Sequence, residues 1–142
     1  MAEGLGETFR LEVVTTLRVL VDQDVTELVA PGSEGYFGVL PGRAPFATIL
    51  KAGELTYRTG REERRLTVTE GYAEVSGDRV RILATAAERA EEIDVGRAEQ
   101  ARDRAETRLH DWEAGDETID QPRALAALRR ALARLEVAGK GA

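Results

Sequence analysis

The first 84 residues alternate between apolar and polar side chains in short stretches separated by glycine and proline clusters. Alternation with a period of two is the pattern of a half-buried β-strand. About nine stretches at regular spacing are typical of an antiparallel β-sandwich or a flattened barrel. The predicted strands cover residues 9–13, 18–21, 26–30, 36–40, 46–50, 55–59, 65–69, 71–75 and 79–84, with turn clusters at 31–35 and 60–63.

The hydrophobic period then changes to that of two helices. Asp94 is predicted to cap the first helix, which stops near residues 114–116, and the second helix begins near Gln121–Pro122. Each helix has one apolar stripe, so an antiparallel hairpin buries both. The stripes are Val95, Ala98, Ala101, Ala105, Leu109 and Trp112 on the first helix, and Leu125, Leu128, Leu132 and Leu135, flanked by alanines, on the second.

These patterns predict an α+β chain in two parts. Residues 1–88 form an N-terminal antiparallel β-sandwich of nine to ten strands, and residues 89–142 form a C-terminal helical hairpin. An alanine-rich seam buries little apolar area per residue, so its free energy is modest at roughly 25 cal/mol per Å². We therefore expect a weakly held hairpin that can open.

Composition argues against several classes of function. A net charge of −6 argues against general nucleic-acid binding. The sequence has one histidine, no cysteine and two serines that both lie in turns, which leaves no Ser-His triad and no zinc cluster. We predict no catalytic residue and no metal site. Residues 121–142 carry five bases and one acid, which indicates either a solvated helix face or a surface for an acidic partner or phosphate.

Arginines recur along both helices with the same spacing. Three on each helix are separated by seven and then four residues, which places each set on one stripe. The sets are Arg97, Arg104 and Arg108, and Arg123, Arg130 and Arg134. If the stripes meet, they form an electropositive groove suited to phosphate oxygens, and Glu88 or Asp94 could accept hydrogen bonds from ribose or adenine. The alternative is that arginine simply favours helix and that Asp94 is only an N-cap.

The segment 30–45, Ala-Pro-Gly-Ser-Glu-Gly-Tyr-Phe-Gly-Val-Leu-Pro-Gly-Arg-Ala-Pro, resembles the hallmark turn of the epsilon subunit of bacterial F-type ATP synthase. The match extends over nearly the whole chain. The resemblance implies a non-catalytic central-stalk subunit of a proton-translocating ATP synthase, at the cytoplasmic face of the bacterial plasma membrane. It implies as partners the gamma subunit, the c-subunit ring and, when the hairpin extends to inhibit ATP hydrolysis, the alpha/beta catalytic head. It implies neither nucleic-acid binding nor direct membrane insertion.

Residues 93–98, Ile-Asp-Val-Gly-Arg-Ala, resemble the family's Ile/Leu-Asp-x-x-Arg-Ala nucleotide motif. This resemblance implies that ATP binds as a regulatory ligand, is not hydrolysed, and favours the folded hairpin. The carboxylates and Ile93 would recognise the nucleoside, and the arginines would hold the phosphates. The implied site is Glu88, Ile93, Asp94, Arg97, Ala98, Arg104, Arg130 and Arg134. The short motif also occurs in members that bind ATP poorly.

The resemblance implies two protein contacts as well. Turns facing the c-ring would carry Ser33, Glu34, Tyr36 and Arg43. Arg43 stands where many members have histidine, and Tyr36 where some have an acid. Arg123 and Arg129 are predicted to meet the beta subunit when the hairpin extends.

Gly96 lies in the first turn of the first predicted helix. Glycine there lowers the stability of the helix by about 1 kcal/mol relative to alanine, which loosens the connection between the sandwich and the hairpin.

The alternative function is a free-standing sandwich-plus-hairpin module that binds a nucleotide or a peptide.

Overall fold

The computed structural model describes residues 7–140, in which ten strands precede two helices. A single turn of 3-10 helix, Ala90–Glu92, links the two parts. The strands are β1 Phe9–Val14, β2 Val19–Val25, β3 Glu27–Gly32, β4 Gly35–Val39, β5 Phe46–Leu50, β6 Gly53–Thr59, β7 Glu62–Val68, β8 Gly71–Ser76, β9 Arg79–Ala84 and β10 Ala87–Arg89; the helices are α1 Val95–Glu113 and α2 Gln121–Lys140. The predicted sandwich and hairpin are confirmed.

The strands form one continuous order, β10-β7-β6-β3-β5-β8-β9-β1-β2, with β4 paired to β3. The strand order passes from one layer of the sandwich to the other between β3 and β5, which share only one residue pair, Gly32 with Leu50. Every pairing is antiparallel except that of β1 with β9. The core between the layers is made of fully buried aliphatic side chains, including Leu11, Leu28 and Ile82.

Both predicted turns, 31–35 and 60–63, were too long. Glu62 and Glu63 belong to β7, which leaves residues 60 and 61 as the turn between β6 and β7. Pro31 and Gly32 continue β3 and pair with Tyr36 and Gly35, so the turn consists of residues 33 and 34 alone. Proline is tolerated in this strand because it still offers an acceptor, and the Pro31 carbonyl accepts a hydrogen bond from the Lys51 N–H at 2.9 Å. Tyr36 lies in β4, as the strand predicted over residues 36–40 has it, and not in the turn where the family resemblance placed it.

Both helices begin at carboxylate caps, as the residue types favour. Asp94 accepts a hydrogen bond from the Arg97 N–H at 3.1 Å, and Asp120 accepts one from the Arg123 N–H at 3.1 Å. The predicted cap at Asp94 is therefore confirmed. Neither described helix is long and apolar enough to cross a membrane.

The buried faces of the helices differ from the predicted stripes. Val95, Trp112 and Leu132 are 45%, 44% and 46% exposed, so their assignment to the buried face was wrong. The buried residues are mostly alanines: Ala98 and Ala105 on α1, and Ala124, Ala131 and Ala133 on α2, with Val137. The reason is that α2 packs on α1 and also on β6 and β7, and small side chains permit the close approach of both.

A row of apolar side chains crosses the layer of the sandwich that is formed by β5, β8, β9, β1 and β2. Strand register places Ile49, Tyr72, Leu83, Val14 and Val19 next to one another on five adjacent strands. Ile49 and Val19 are 63% and 60% exposed. At about 4.8 Å between strands the row is roughly 19 Å long. This apolar row lies away from β6 and β7, where the helices make their main contacts with the strands.

Candidate functional site

The joint between the sandwich and the hairpin is fixed by ion pairs. The Arg18 guanidinium donates to both carboxylate oxygens of Glu92 at 2.7 and 2.8 Å. The Arg89 N–H also donates to Glu92 at 2.8 Å, and the Arg89 side chain donates to the Leu20 carbonyl at 2.6 Å. The Arg18 hydrogen bonds, followed by that from Arg89, lower the pKa of Glu92 to about 2. The chain therefore leaves β10 in a defined direction.

A cavity of about 270 Å³ lies beyond this joint, between the start of α1, the middle of α2 and β10. Six of the eight residues predicted for a nucleotide line it, together with one residue that was predicted only for the apolar stripe of the first helix. The lining is Glu88, Asp94, Arg97, Ala98, Ala101, Arg104 and Arg134. Ala101 is the residue that was missed, and its position three residues after Ala98, on the same helix face, was the available signal.

The charges of this cavity come from three guanidinium groups and two carboxylates. The Arg134 Nε lies 2.6 Å from Oε1 of Glu88, and Asp94 caps α1. Among the residues that the structure describes, Arg97 and Arg104 have no ion-pair partner. Since guanidinium groups bind phosphate and carboxylate oxygens in a bidentate manner, the cavity suits a ligand with an anionic group.

The other two predicted nucleotide residues lie elsewhere. Ile93 is buried in a small cluster with Ala90 and Val137, which anchors the joint to the end of α2. Arg130 does not line the cavity; its Nη1 lies 3.5 Å from Oε2 of Glu70.

The arginine stripes meet in two places rather than along one groove. A second cavity, of about 260 Å³, brings Arg108 of α1 and Arg123 of α2 together near the loop between the helices. Asp120 also lines it, so its charge is partly balanced. Arg129 is exposed on α2. Six residues correspond to about 120° around a helix, so Arg123 and Arg129 face different directions.

The residues predicted to face the c-ring occupy both ends of β4. Ser33 and Glu34 form the turn before β4, where the Ser33 N–H donates to the Ile49 carbonyl at 2.7 Å. Arg43 follows β4, donates to the Gly38 carbonyl at 2.6 Å and lies 5.2 Å above the Phe46 ring. β4 has five residues, which extend roughly 16 Å. These residues therefore do not form one small patch.

Metal-binding geometry is absent from the described residues. No group of three or more His, Cys, Asp or Glu side chains within residues 7–140 could hold a metal ion.

Comparison with known proteins gave matches along almost the whole chain. Residues 8–90 match the family described as "ATP synthase, Delta/Epsilon chain, beta-sandwich domain", and residues 91–139 match the corresponding "long alpha-helix domain". The ATP synthase epsilon chain of Syntrophobacter fumaroxidans is 50% identical over 136 residues, covering 96% of this chain and 99% of the relative. That of Moorella thermoacetica is 49% identical over 133 residues, covering 93% and 97%.

Two solved structures have the same fold at low identity. A chain of the Euglena gracilis mitochondrial ATP synthase matches with a TM-score of 0.78 and 23% identity, covering 92% of this chain and 81% of that one. A chain of the Tetrahymena thermophila mitochondrial ATP synthase, in a structure of its central stalk and c-ring, matches with a TM-score of 0.57 and 14% identity, covering 92% and 93%. At these identities the likeness is one of fold.

Proposed function

The chain belongs to the ATP synthase delta/epsilon chain family, and from that membership we propose that it is a non-catalytic rotor subunit which couples the c-ring to the catalytic head. Near-complete coverage of the bacterial epsilon chains supports this role. In a proton-translocating bacterial enzyme the subunit would sit at the cytoplasmic face of the plasma membrane. The sandwich would hold the gamma subunit and the c-ring, and the hairpin would regulate.

The apolar row supports a protein partner on the sandwich. Large apolar side chains aligned across five strands are the kind of surface that a stable partner covers. We assign this row to the gamma subunit, and the turn at Ser33 and Glu34 to the c-ring. Ile49→Asp should abolish co-purification with gamma, whereas Ser76→Asp, at an exposed position of β8, should not. If the unaltered chain itself does not co-purify with gamma, the free-standing nucleotide- or peptide-binding module becomes the better description.

The cavity supports ATP as a regulatory ligand, and a single observation carries this: Arg97 and Arg104 of α1 meet Arg134 of α2 around one space. A phosphate group held by these three arginines interacts with the folded hairpin and loses the partners on one helix, Arg134 or the pair Arg97 and Arg104, when the helices separate. A ligand shifts a conformational equilibrium only by such a preference. ATP would therefore favour the folded hairpin without being hydrolysed.

Calorimetry on the isolated chain tests this proposal. ATP should bind, and Arg97→Ala should weaken binding by about 10- to 100-fold, as expected for a lost charge-assisted hydrogen bond. Arg102→Ala is the matched control, because Arg102 lies on the same helix, pairs with Asp103 and does not line the cavity. An absence of binding heat at millimolar ATP would overturn the proposal.

The hairpin would act as a brake when it extends toward the catalytic head. Arg123 and Arg129 would then meet acidic surface on the beta subunit, as basic patches do on acidic partners. Removing residues 94–142 should raise the ATP hydrolysis rate of the assembled complex. An unchanged rate would mean that the hairpin does not inhibit in this enzyme.

A further inference from the structure

The inner face of the layer that contains β6, β7 and β10 changes from apolar to polar toward one end of the sandwich. Leu55 and Leu66 pair with each other and are buried in the core. The inward positions beside and beyond this pair are polar or charged, and they are Tyr57 and Thr59 of β6, Glu62 and Arg64 of β7, and Arg89 of β10. Charged side chains add nothing to an apolar core, so packing between the layers does not explain these positions.

These side chains line a cavity of about 260 Å³, which Leu20 and Gln23 of the opposite layer also line. Tyr57 is 7% exposed, and its hydroxyl has no hydrogen-bond partner within residues 7–140. A buried tyrosine hydroxyl normally has such a partner. The Tyr57 hydroxyl is therefore a donor that remains for a ligand in this cavity.

Two guanidinium groups act on the Tyr57 hydroxyl. Burial raises the pKa of Tyr57, and the positive charges of Arg64 and Arg89 each lower it by more than the charge of Glu91 raises it. Arg64 has one long ion-pair contact, 3.5 Å from Oε2 of Glu62, and Arg89 donates from Nη2 to a backbone carbonyl at 2.6 Å. Since a guanidinium has five N–H donors, both side chains retain donors for a further acceptor.

We propose that this cavity binds a small oxyanion, a carboxylate or a phosphate, through the Tyr57 hydroxyl and the guanidinium groups of Arg64 and Arg89. Forked guanidinium donors match two oxygens of either ion, and the phenol adds a third donor. Glu62 and Glu91 line the same cavity and oppose the binding, so we expect a Kd of about 1 mM. The site shares no lining residue with the proposed ATP cavity and does not depend on the proposed function.

The test is an NMR titration of the isolated full-length chain with sodium acetate and, separately, with sodium phosphate, at an ionic strength kept constant with sodium chloride. The ring signals of Tyr57 and the Nε–H signal of Arg64 should shift and saturate with at least one oxyanion. Arg64→Gln, followed at the Tyr57 ring, should weaken binding about tenfold or more. Tyr57→Phe, followed at the Arg64 Nε–H, should weaken it about threefold to tenfold and leave the melting temperature unchanged, because the hydroxyl has no partner to lose.

Arg61→Gln is the matched control, since it removes the same charge from the exposed turn between β6 and β7 and does not line the cavity. Its affinity should stay within about twofold of that of the unaltered chain, because exposed charges outside the site are screened. Signals that shift without saturating, or an equal loss of affinity in Arg61→Gln and Arg64→Gln, would show general charge screening and overturn the site. Unchanged affinity in either Arg64→Gln or Tyr57→Phe would overturn it as well. Arg97→Ala should leave this titration unaltered, so its outcome is independent of whether ATP binds.

Discussion

The Nε of Arg134 donates to Oε1 of Glu88 at 2.6 Å, and the same two side chains line the cavity between the helices and the sandwich. A guanidinium has five N–H donors, and Glu88 uses one of those on Arg134. The others remain for an anionic ligand. Glu88 therefore orients Arg134 toward the site while the guanidinium keeps its capacity to bind phosphate.

This ion pair should contribute measurably to stability. Glu88→Gln is expected to lower the free energy of unfolding by about 1 kcal/mol, because both side chains are partly shielded from water. Urea denaturation at neutral pH measures the change. Glu99→Gln, at an exposed position of α1, is the control and should stay within about 0.5 kcal/mol of the unaltered chain.

The joint should make stability depend on pH. The hydrogen bonds from Arg18 hold the pKa of Glu92 at about 2, below its ordinary value of 4.5. A lowered carboxyl pKa contributes stability that is fully present above the ordinary value and is lost as the pH falls toward the folded-state pKa. Urea denaturation should therefore show Glu92→Gln less stable at pH 7, with the difference shrinking from about pH 4.5 toward pH 2. A difference that grows as the pH falls would contradict this assignment.

Gly96 is not required by the geometry of α1. A Cβ there would meet only the Asp94 carboxylate, at an ordinary contact distance of 3.6 Å. Gly96→Ala should therefore raise the free energy of unfolding of the helical part by about 1 kcal/mol and slow hydrogen exchange in the first turns of α1. If exchange becomes faster, the glycine serves a role in that turn which the helix geometry does not reveal.

Gly71 is required, by contrast. Its Cβ would lie 2.1 Å from a carbonyl oxygen of the neighbouring strand, and backbone cannot move aside as a side chain can. Gly71→Ala should lower the free energy of unfolding by about 3 kcal/mol. Gly38→Ala is the control, because the nearest atom to its Cβ is 3.8 Å away. Thermal denaturation of the two variants should separate them clearly; similar melting temperatures would refute the close approach at Gly71.

Two apolar residues of α2, one buried and one exposed, test which face of the helix is packed. Val137 is fully buried and Leu132 is 46% exposed. Val137→Ala should lower the free energy of unfolding by about 2 kcal/mol, whereas Leu132→Ala should cost well under 1 kcal/mol. Denaturation of the isolated chain gives both values. A larger cost at Leu132 would restore the leucine stripe as the packing face.

The strands were predictable because alternation is a local property. Phe9–Val14 and Arg79–Ala84 alternate between buried and more exposed residues as their letters indicate. The turn predicted at residues 31–35 was harder to place. Pro31 and Gly32 continue β3, and the Pro31 carbonyl accepts a hydrogen bond from Lys51, which lies 20 residues later in the chain. The local preference of proline and glycine for turns competes with pairing to distant strands, and the local sequence does not show which strand will pair with this segment.

The buried face of α2 could not be predicted from its own sequence either. Leucines and alanines occupy adjacent faces of α2, so two stripes were available to be buried. The choice depends on β6 and β7 beneath α2, which periodicity within the helix does not contain.

The candidate site was likewise predicted in part. Spacing placed Arg97 and Arg104 on one face of α1, and they do line one cavity. Spacing also grouped Arg130 with Arg134, but Arg130 meets Glu70, a carboxylate 60 residues earlier in the chain. Such a partner is invisible to helical periodicity. ATP binding, the c-ring contacts and the beta-subunit contacts stay predictions.

The alanine seam has a consequence for reversibility. Ala98, Ala105 and Ala131 are buried, and an alanine side chain has no rotamers to lose when it becomes buried. Leucines in the same places would each surrender side-chain entropy on closing and would have to find one rotamer again at every return. Helices that meet through alanine re-form their contact as soon as their backbones align. An alanine seam therefore suits the proposed opening and closing of the hairpin, because each closure would cost little side-chain entropy.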